Sequence, residues 1–348
     1  MKINRQNKAE VLQRTVKHID IKAHDPRGLI RAYKEMSFSA RELSGACEIY
    51  QRMLEDDECT IILTVAGSTS AAGCMQVYVD LVRHNMVDIV VATGATVVDM
   101  DFLEALGFRH YRGTQFADDA QLRDLYIDRI YDTYIDEEEL QHCDRTIKEI
   151  ADALAPRPYS SREFIGEMGR SLAANPARAV KPDSLVQVAY EHGVPVFCPA
   201  FSDSSAGFGL VAHQVERPDA HVSIDSVRDF RELTELKLRA RDTGLLMIGG
   251  GSPKNFAQDT VVCAEVLGHQ VPAHKYSVQI TVADVRDGAC SSSTLKEEMS
   301  WGKVDASAEQ MVYAEATLVL PLLAAYAYHN GSWKTRPRRE LARQLGAA

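Results

Sequence analysis

The sequence predicts an α/β fold built on a doubly wound, mostly parallel sheet in a single domain. Almost unbroken apolar runs such as residues 60–65 indicate strands that are buried on both faces, as is typical of parallel sheets. A cluster of small residues ends most of these runs, and a helical pattern follows it. No linker rich in proline, glycine or serine divides the 348 residues, which favours one domain.

The predicted elements follow this pattern in chain order. Residues 1–58 are polar with helical spacing and predict an N-terminal helical arm, and residues 59–348 form the α/β domain. Five strands are predicted, at residues 60–65, 87–92, 194–197, 245–248 and 277–281. Helices are predicted at 75–82, 99–106, 137–154, 162–174, 183–192, 226–241 and 314–328, followed by a solvated terminal helix in the basic tail.

The composition is that of a globular protein and excludes several classes. A net charge of -10 argues against a general nucleic-acid binder and favours cationic or neutral partners. Seven scattered cysteines without a Cys-x-x-Cys pair predict reduced thiols in a cytoplasmic protein, with no disulfide framework and no metal site. We expect no membrane span, because no apolar run reaches the roughly 18 residues that one requires.

Small residues are concentrated where the predicted strands end. In doubly wound sheets ligands bind beyond the carboxyl ends of the strands. The loops at residues 67–73 and 249–251 would let backbone N–H groups approach a phosphate, which predicts a dinucleotide site. Taken alone, each loop is more typical of a tight turn. The Gly-x-Gly-x-x-Gly fingerprint is absent, since Gly207-Phe208-Gly209 lacks the third glycine, so a standard Rossmann site is not indicated.

The stretch Ser300-Trp301-Gly302-Lys303 follows the acidic pair Glu297-Glu298. A lysine acts as a nucleophile only when its amine is partly neutral, which requires desolvation or a nearby cation. Trp301 would supply an apolar wall for Lys303, and Glu297 would hold a cationic amine beside it. By itself, a lysine near a tryptophan is usually a solvated surface residue.

Together with this stretch, three further motifs resemble the deoxyhypusine synthase family. They are Tyr313-Ala314-Glu315-Ala316 with Leu320-Pro321-Leu322-Leu323, His84-Asn85-Met86-Val87-Asp88, and Pro195-Val196-Phe197-Cys198-Pro199-Ala200. The resemblance runs from about residue 59 to 328. It implies a Rossmann-like NAD-binding domain and a homotetramer with active sites at dimer interfaces. It also implies that NAD oxidises spermidine, that a lysine carries the 4-aminobutyl group as an imine, and that the same NADH reduces the product.

The resemblance also assigns roles to single residues. Lys303 matches the imine-forming lysine, and Asp99, Glu297 and Trp301 match positions that contact the polyamine. The positions that match NAD contacts are Gly67, Ser68, Thr69, Ser70 and Ala71 in a first loop, Thr93, Gly94 and Ala95 in a second, and Asp203, Gly250, Glu315 and Ala316.

Four positions depart from the family pattern. Asn255 replaces a histidine, and Phe208 replaces an aspartate that grips the far amine. Cys290 replaces another acid in the serine-rich loop, and Val98 replaces a glutamate. Each lost carboxylate removes a charge-assisted hydrogen bond of about 1.5–3 kcal/mol. Three such losses are expected to abolish the usual spermidine pose.

These departures favour an NAD-dependent transferase with a small acceptor. Phe208 can stack on a cation or guanidinium, and Asn255 resembles the change found in homospermidine synthases, so the expected acceptor is a diamine such as putrescine, or agmatine. Two alternatives stay open: a deoxyhypusine synthase that modifies a lysine on a translation factor, and a non-catalytic homologue that binds NAD or polyamine.

Overall fold

The computed structural model describes residues 5–175, 183–287, 293–305 and 307–346. The strands are β1 (Cys59–Val65), β2 (Ile89–Ala92), β3 (His110–Arg112), β4 (Ile127–Ile130), β5 (Thr133–Asp136), β6 (Pro158–Tyr159), β7 (Val196–Phe197), β8 (Ser223–Ile224), β9 (Asp242–Ile248), β10 (Tyr276–Thr281) and β11 (Glu309–Tyr313).

The α-helices are α1 (Arg5–Val11), α2 (Arg27–Tyr33), α3 (Phe38–Glu55), α4 (Met75–Arg83), α5 (Leu103–Ala105), α6 (Asp119–Asp124), α7 (Glu137–Ala153), α8 (Ser161–Ala173), α9 (Leu185–His192), α10 (Ser205–Glu216), α11 (Ser226–Arg239), α12 (Gly251–Gln258), α13 (Thr260–Val266), α14 (Leu295–Ser300), α15 (Ala316–Asn330) and α16 (Leu341–Gln344). Two π-helical turns, Ser70–Cys74 and Ala95–Phe102, precede α4 and α5. Within the described residues, every helix is too short or too polar to cross a bilayer.

Six strands form one parallel sheet in the order β11-β10-β9-β1-β2-β7. β1 lies inside the sheet and pairs with β9 along its whole length, from Cys59↔Asp242 to Val65↔Ile248. Its side chains alternate between two cores, with Ile61 packed on one side and Ile62 on the other. Both faces are therefore covered, which explains the continuous apolar run and confirms the doubly wound α/β class.

Helices pack on each face of this sheet. α3 and α15 contribute to the larger core, and the Tyr50 hydroxyl on α3 donates to the Met86 carbonyl at 3.0 Å. α11, α12 and α14 cover the opposite face through Leu233, Ala257 and Leu295. α3 belongs to the segment predicted as an arm, so that segment contributes to the core. The domain boundary at residues 58/59 stays a prediction.

All five predicted strands lie in the parallel sheet, but the sequence analysis missed β11, a small antiparallel sheet of order β3-β5-β4 and the two-stranded pair β6-β8. β11 is an edge strand that begins Glu309-Gln310 and is mostly half-buried, so it lacks the apolar run of a central strand. The helix predicted at residues 99–106 is a π-helical turn that continues into α5. π-Helical turns are rare and occur frequently at functional sites.

The basic tail is not simply a solvated helix, because Arg336 is buried beside the amino ends of β1 and β2. Its guanidinium forms two hydrogen bonds with the Asp88 carboxylate, one of them at 2.9 Å, and a further one of 2.8 Å to the Cys59 carbonyl. Asp88 also accepts from the Ile61 amide at 2.7 Å. Burial alone would lower the pKa of Arg336, but the Asp88 charge raises it. This ion pair fastens the C-terminal segment to the amino ends of β1 and β2.

We expect Arg336→Ala to lower the free energy of unfolding by about 3–5 kcal/mol, because it leaves the buried Asp88 with only the longer contact to Arg339, at 3.7 Å. Arg338→Ala is the matched control, since Arg338 donates to the Arg83 carbonyl at an exposed position. Its effect is expected to stay within about 0.5 kcal/mol. Denaturant unfolding of the two variants beside the unsubstituted protein measures this difference. Equal midpoints for all three proteins would contradict the role of the pair.

Candidate active site

A cleft of about 650 Å³ lies beyond the carboxyl ends of β1, β9, β10 and β11. Predicted cofactor residues from three separate segments line it: Gly67 and Thr69 after β1, Gly250 after β9, and Glu315 with Ala316 after β11. The position of this cleft agrees with the general rule that ligands bind at this edge of a doubly wound sheet.

The residues of the cleft fit a dinucleotide. Gly67 has φ +81° with open space where a Cβ would lie, so backbone and ligand can approach closely there. In the same loop, behind the residues that line the cleft, the Ser70 hydroxyl is buried and has no hydrogen-bond partner among the described residues. Glu315 caps α15 by accepting from the Leu318 amide and presents a carboxylate that suits ribose hydroxyls. The amino end of α12 follows the glycine turn and favours a phosphate.

The second predicted cofactor loop lies beside the first. Thr96 donates its hydroxyl hydrogen to the Gly67 carbonyl at 2.9 Å, which ties the turn of Thr93, Gly94 and Ala95 to the first loop. A methyl group added at Gly94 would lie 2.5 Å from the Ser204 Cβ. Gly94 therefore permits the close packing that sets the loop with Asp203 against the end of β2. In the first loop, Ser68 is half-buried and Ala71 is buried.

Lys303 is held between two carboxylates on the opposite face of β9 and β10 from α3. Its Nζ lies 2.6 Å from Asp259 Oδ1 and 3.3 Å from Glu298 Oε2, and its side chain is 12% exposed. Its carbonyl accepts from the His274 amide at 2.9 Å, just before β10 begins. Burial alone would lower the pKa of Lys303, but the hydrogen bond to Asp259 and the charge of Glu298 raise it above the ordinary value. The free protein thus holds an ammonium and not a partly neutral amine.

Glu298, and not Glu297, is the acid beside Lys303. Glu297 is exposed and accepts from the Thr294 amide at 2.5 Å, while the Thr294 hydroxyl accepts from the Glu297 amide. This capping box begins α14 and lowers the pKa of Glu297. The pattern Thr-x-x-Glu was visible in the sequence, and it predicts that the Glu297 side chain turns back to the start of the helix.

Lys254 is a second lysine of this site, and its burial was not predicted. Its Nζ donates to Gln279 Oε1 at 3.0 Å and to the Ser293 hydroxyl at 3.1 Å, and lies 3.9 Å from Glu298 Oε1. Burial lowers the pKa of Lys254 to about 8. Two lysines with opposite pKa shifts therefore share one buried carboxylate. Such contrasts are typical of catalytic sites.

Trp301 and Asn255 lie near this lysine pair. The Lys303 Nζ is 5.1 Å from the centroid of the Trp301 ring, which is 69% exposed. Asn255 is exposed on α12, one turn before Asp259, and its carbonyl accepts from the Asp259 amide at 2.8 Å. Cys290 lies outside the described residues.

Asp99 and Phe208 occupy the other half of the sheet, after β2 and β7. Asp99 accepts from the Ser205 amide at 2.7 Å. Burial raises the pKa of Asp99 to about 6, and the neighbouring charges of Asp144 and Asp203 add to this effect. Asp144 was not predicted, because its position on α7 is distant in sequence. Phe208 lies one turn into α10 with its ring 68% exposed. Within one chain, the predicted substrate residues thus form two separate groups: Asp99 with Phe208, and Trp301 with Asn255 beside Lys303.

The sequence matches the family model of deoxyhypusine synthase over residues 28–327. A "Deoxyhypusine synthase-like protein" of Coxiella burnetii (strain RSA 493 / Nine Mile phase I) is 68% identical over 335 residues, covering 96% of this chain and 95% of the relative. One of Caulobacter vibrioides is 60% identical, covering 95% of this chain and 90% of the relative. The "Probable deoxyhypusine synthase 2" of Methanosarcina mazei is 37% identical, covering 91% and 90%.

Among solved structures, a "putative deoxyhypusine synthase" of Entamoeba histolytica has the same fold, with a TM-score of 0.59 at 18% identity. The match covers 94% of this chain and 99% of that one. The extent of the family match and the identity to its relatives lead to one conclusion: the chain belongs to the deoxyhypusine synthase family.

Proposed function

We propose that this protein transfers a 4-aminobutyl group between amines, with NAD as cofactor, Lys303 as the covalent carrier and a small diamine or agmatine as acceptor. Family membership implies NAD-dependent aminobutyl transfer in general. The observation that carries the proposal is Lys303 set against Asp259 and Glu298 beside the exposed Trp301 ring. An amine carrier needs an accessible lysine whose charge its surroundings control.

The residues of this chain divide the chemistry between two places. NAD would lie in the cleft, held by the loops at residues 67–71 and 93–95 together with Asp203, Gly250, Glu315 and Ala316. When bound, it supplies a hydride acceptor and then returns the hydride. Lys303 bonds to the carbon of the aminobutyl group while the bond from that carbon to the donor nitrogen breaks, and the rest of the donor leaves as an amine. The nitrogen of the acceptor then displaces Lys303 from the same carbon. The Trp301 ring lies beside this lysine. Lys254, whose pKa is lowered to about 8, offers a nearby amine that exchanges protons near neutral pH.

The surroundings of Phe208 support a small cationic acceptor. The charges of Asp144 and Asp203 raise the pKa of Asp99, and the three acids together concentrate negative charge at the start of α10, which favours a bound cation. The Phe208 ring, one turn away, adds an aromatic face for that cation in place of the acid of the family pattern. Asn255 exposes an amide where the family has a histidine, so a proton acceptor for a protein-bound lysine is absent at that position. Both features favour a freely diffusing diamine, or agmatine with its flat guanidinium.

Borohydride added during turnover should trap the aminobutyl group on the peptide that contains Lys303, as read by mass spectrometry. Lys303→Ala should abolish the adduct and slow transfer by at least about 10³-fold, because a covalent carrier has no substitute. Lys296→Ala removes an exposed lysine of α14 and serves as the matched control. Full transfer by Lys303→Ala would refute the carrier role.

Gly67→Ala should weaken NAD binding at least about tenfold, because it strains a backbone at φ +81° and places a methyl group in the cleft. Gly268→Ala imposes the same strain at φ +82°, also with open space around it, but lies after α13 and away from the cleft lining. Calorimetric titration should give unchanged affinity for this control. Equal NAD affinity for both variants would place the cofactor elsewhere.

Incubation with NAD, either putrescine or spermidine as the aminobutyl donor, and an acceptor should yield aminobutylated putrescine or agmatine and little product on a translation-factor lysine. Phe208→Asp should raise the rate with spermidine relative to the rate with putrescine, because it restores an acid of the family pattern. Val227→Asp adds the same charge to an exposed site on another helix, α11, and should not change this ratio. Efficient modification of the protein lysine would favour the deoxyhypusine synthase alternative. NAD binding without any transfer would favour the non-catalytic one.

A further inference from the structure

The ion pair between Lys303 and Asp259 poses a chemical problem for a carrier lysine. The two charged atoms lie 2.6 Å apart, and Glu298 adds a second carboxylate at 3.3 Å. An ammonium held in this way has no lone pair with which to attack carbon. Chemistry at Lys303 therefore requires that at least one of these contacts opens.

The structure shows which contact is able to open. The Glu298 side chain is 4% exposed, and its other oxygen accepts from the Ser293 hydroxyl at 2.5 Å. The Asp259 side chain is 41% exposed and follows the last residue of α12. Glu298 is thus fixed, whereas Asp259 is within reach of a molecule that enters from solvent.

We propose that Asp259 is a shared carboxylate, which holds the Lys303 ammonium in the free protein and takes an ammonium group of the amine substrate when that substrate binds. The inference rests on the proposed function and adds to it the subsite for one substrate ammonium and the event that releases Lys303.

The charges around Lys303 favour this exchange. A cation bound at Asp259 replaces an attractive contact of Lys303 with a repulsive one, and both changes favour the neutral amine. The proton of Lys303 then leaves to water. Glu298 keeps the lysine in position during the exchange, because its carboxylate does not depend on Asp259 for its own place.

Neighbouring side chains suit the incoming ammonium. The Trp301 ring lies within 5.1 Å of the Lys303 Nζ and is exposed, so it offers an aromatic face to a second cation at the same place. Asn255 precedes Asp259 by one helical turn, and residues four apart lie on the same side of a helix. An amine that contacts Asp259 therefore also passes Asn255, the predicted acceptor-determining residue.

The test measures the pKa of Lys303 directly, from the pH profile of its labelling by acetic anhydride with mass spectrometric readout. Asp259→Asn should shift the midpoint down by about one unit, which speeds labelling about tenfold at a fixed pH below the midpoint. Saturating putrescine should lower the Lys303 midpoint of the unsubstituted protein by a similar amount. It should not lower the midpoint of Asp259→Asn any further. The midpoint is the readout, because bound amine can also slow labelling by shielding.

Asp305→Asn is the matched control, because it removes an acid two residues from Lys303 whose carboxylate instead accepts from the Ser307 amide at 2.7 Å. Its midpoint should equal that of the unsubstituted protein and respond to putrescine in the same way. Asp259→Glu keeps the charge and should also behave like the unsubstituted protein. An Asp259→Asn midpoint equal to that of the control, or a putrescine shift that persists without the Asp259 carboxylate, would overturn the proposal.

The labelling assay contains no NAD and requires no turnover. A putrescine shift at Lys303 without any aminobutyl transfer would therefore refute the proposed function and leave the role of Asp259 intact. Aminobutyl transfer without a putrescine shift at Lys303 would refute the role of Asp259 and leave the proposed function intact.

Discussion

The buried carboxylate of Glu298 is the constraint on which the lysine site depends. Lys254 and Lys303 both approach it, at 3.9 Å and 3.3 Å, and two ammonium groups at such distances would repel each other without it. Because Glu298 is almost fully buried, its own charge needs these partners. The two lysines then differ in their second contacts. Lys303 adds the acid Asp259, whereas Lys254 has neutral oxygens from Gln279 and Ser293, and their pKa shifts diverge accordingly.

The parallel sheet connects this site to the cleft at its edge. Gln279 lies on β10; its amide nitrogen donates to the Gly249 carbonyl at 3.0 Å and its oxygen accepts from Lys254. A single side chain thus joins the glycine turn of the cleft to the buried lysine, and Glu298 continues the connection to Lys303. The cleft and the lysine pair are therefore connected through a continuous set of hydrogen bonds and ion pairs.

Sequence patterns predicted the sheet better than the site. Apolar runs identify strands that are buried on both faces, but they miss β11, where one side faces the sheet edge and polar residues interrupt the run. The motifs named Lys303 and several residues that line the cleft, but they did not name Asp259 as a partner of Lys303 and chose Glu297 in place of Glu298. Asp259 and Glu298 contact Lys303 because of the directions in which the end of α12 and one side of α14 face. A short sequence motif does not contain this information. The capping box at Thr294 was the one local pattern that separates Glu297 from Glu298.

The division of the predicted substrate residues into two groups has a physical consequence. Asp99 and Phe208 lie after β2 and β7, whereas Lys303 and Trp301 lie beside β9 and β10, so β1 separates them in the sheet order. Each group exposes one large aromatic ring, Trp301 in one and Phe208 in the other. A second copy of the chain that brings the Phe208 group of one protomer to the Trp301 group of its partner would cover both rings. This arrangement would also join a cation-binding group to the carrier lysine, in line with the interface sites that the family resemblance implies.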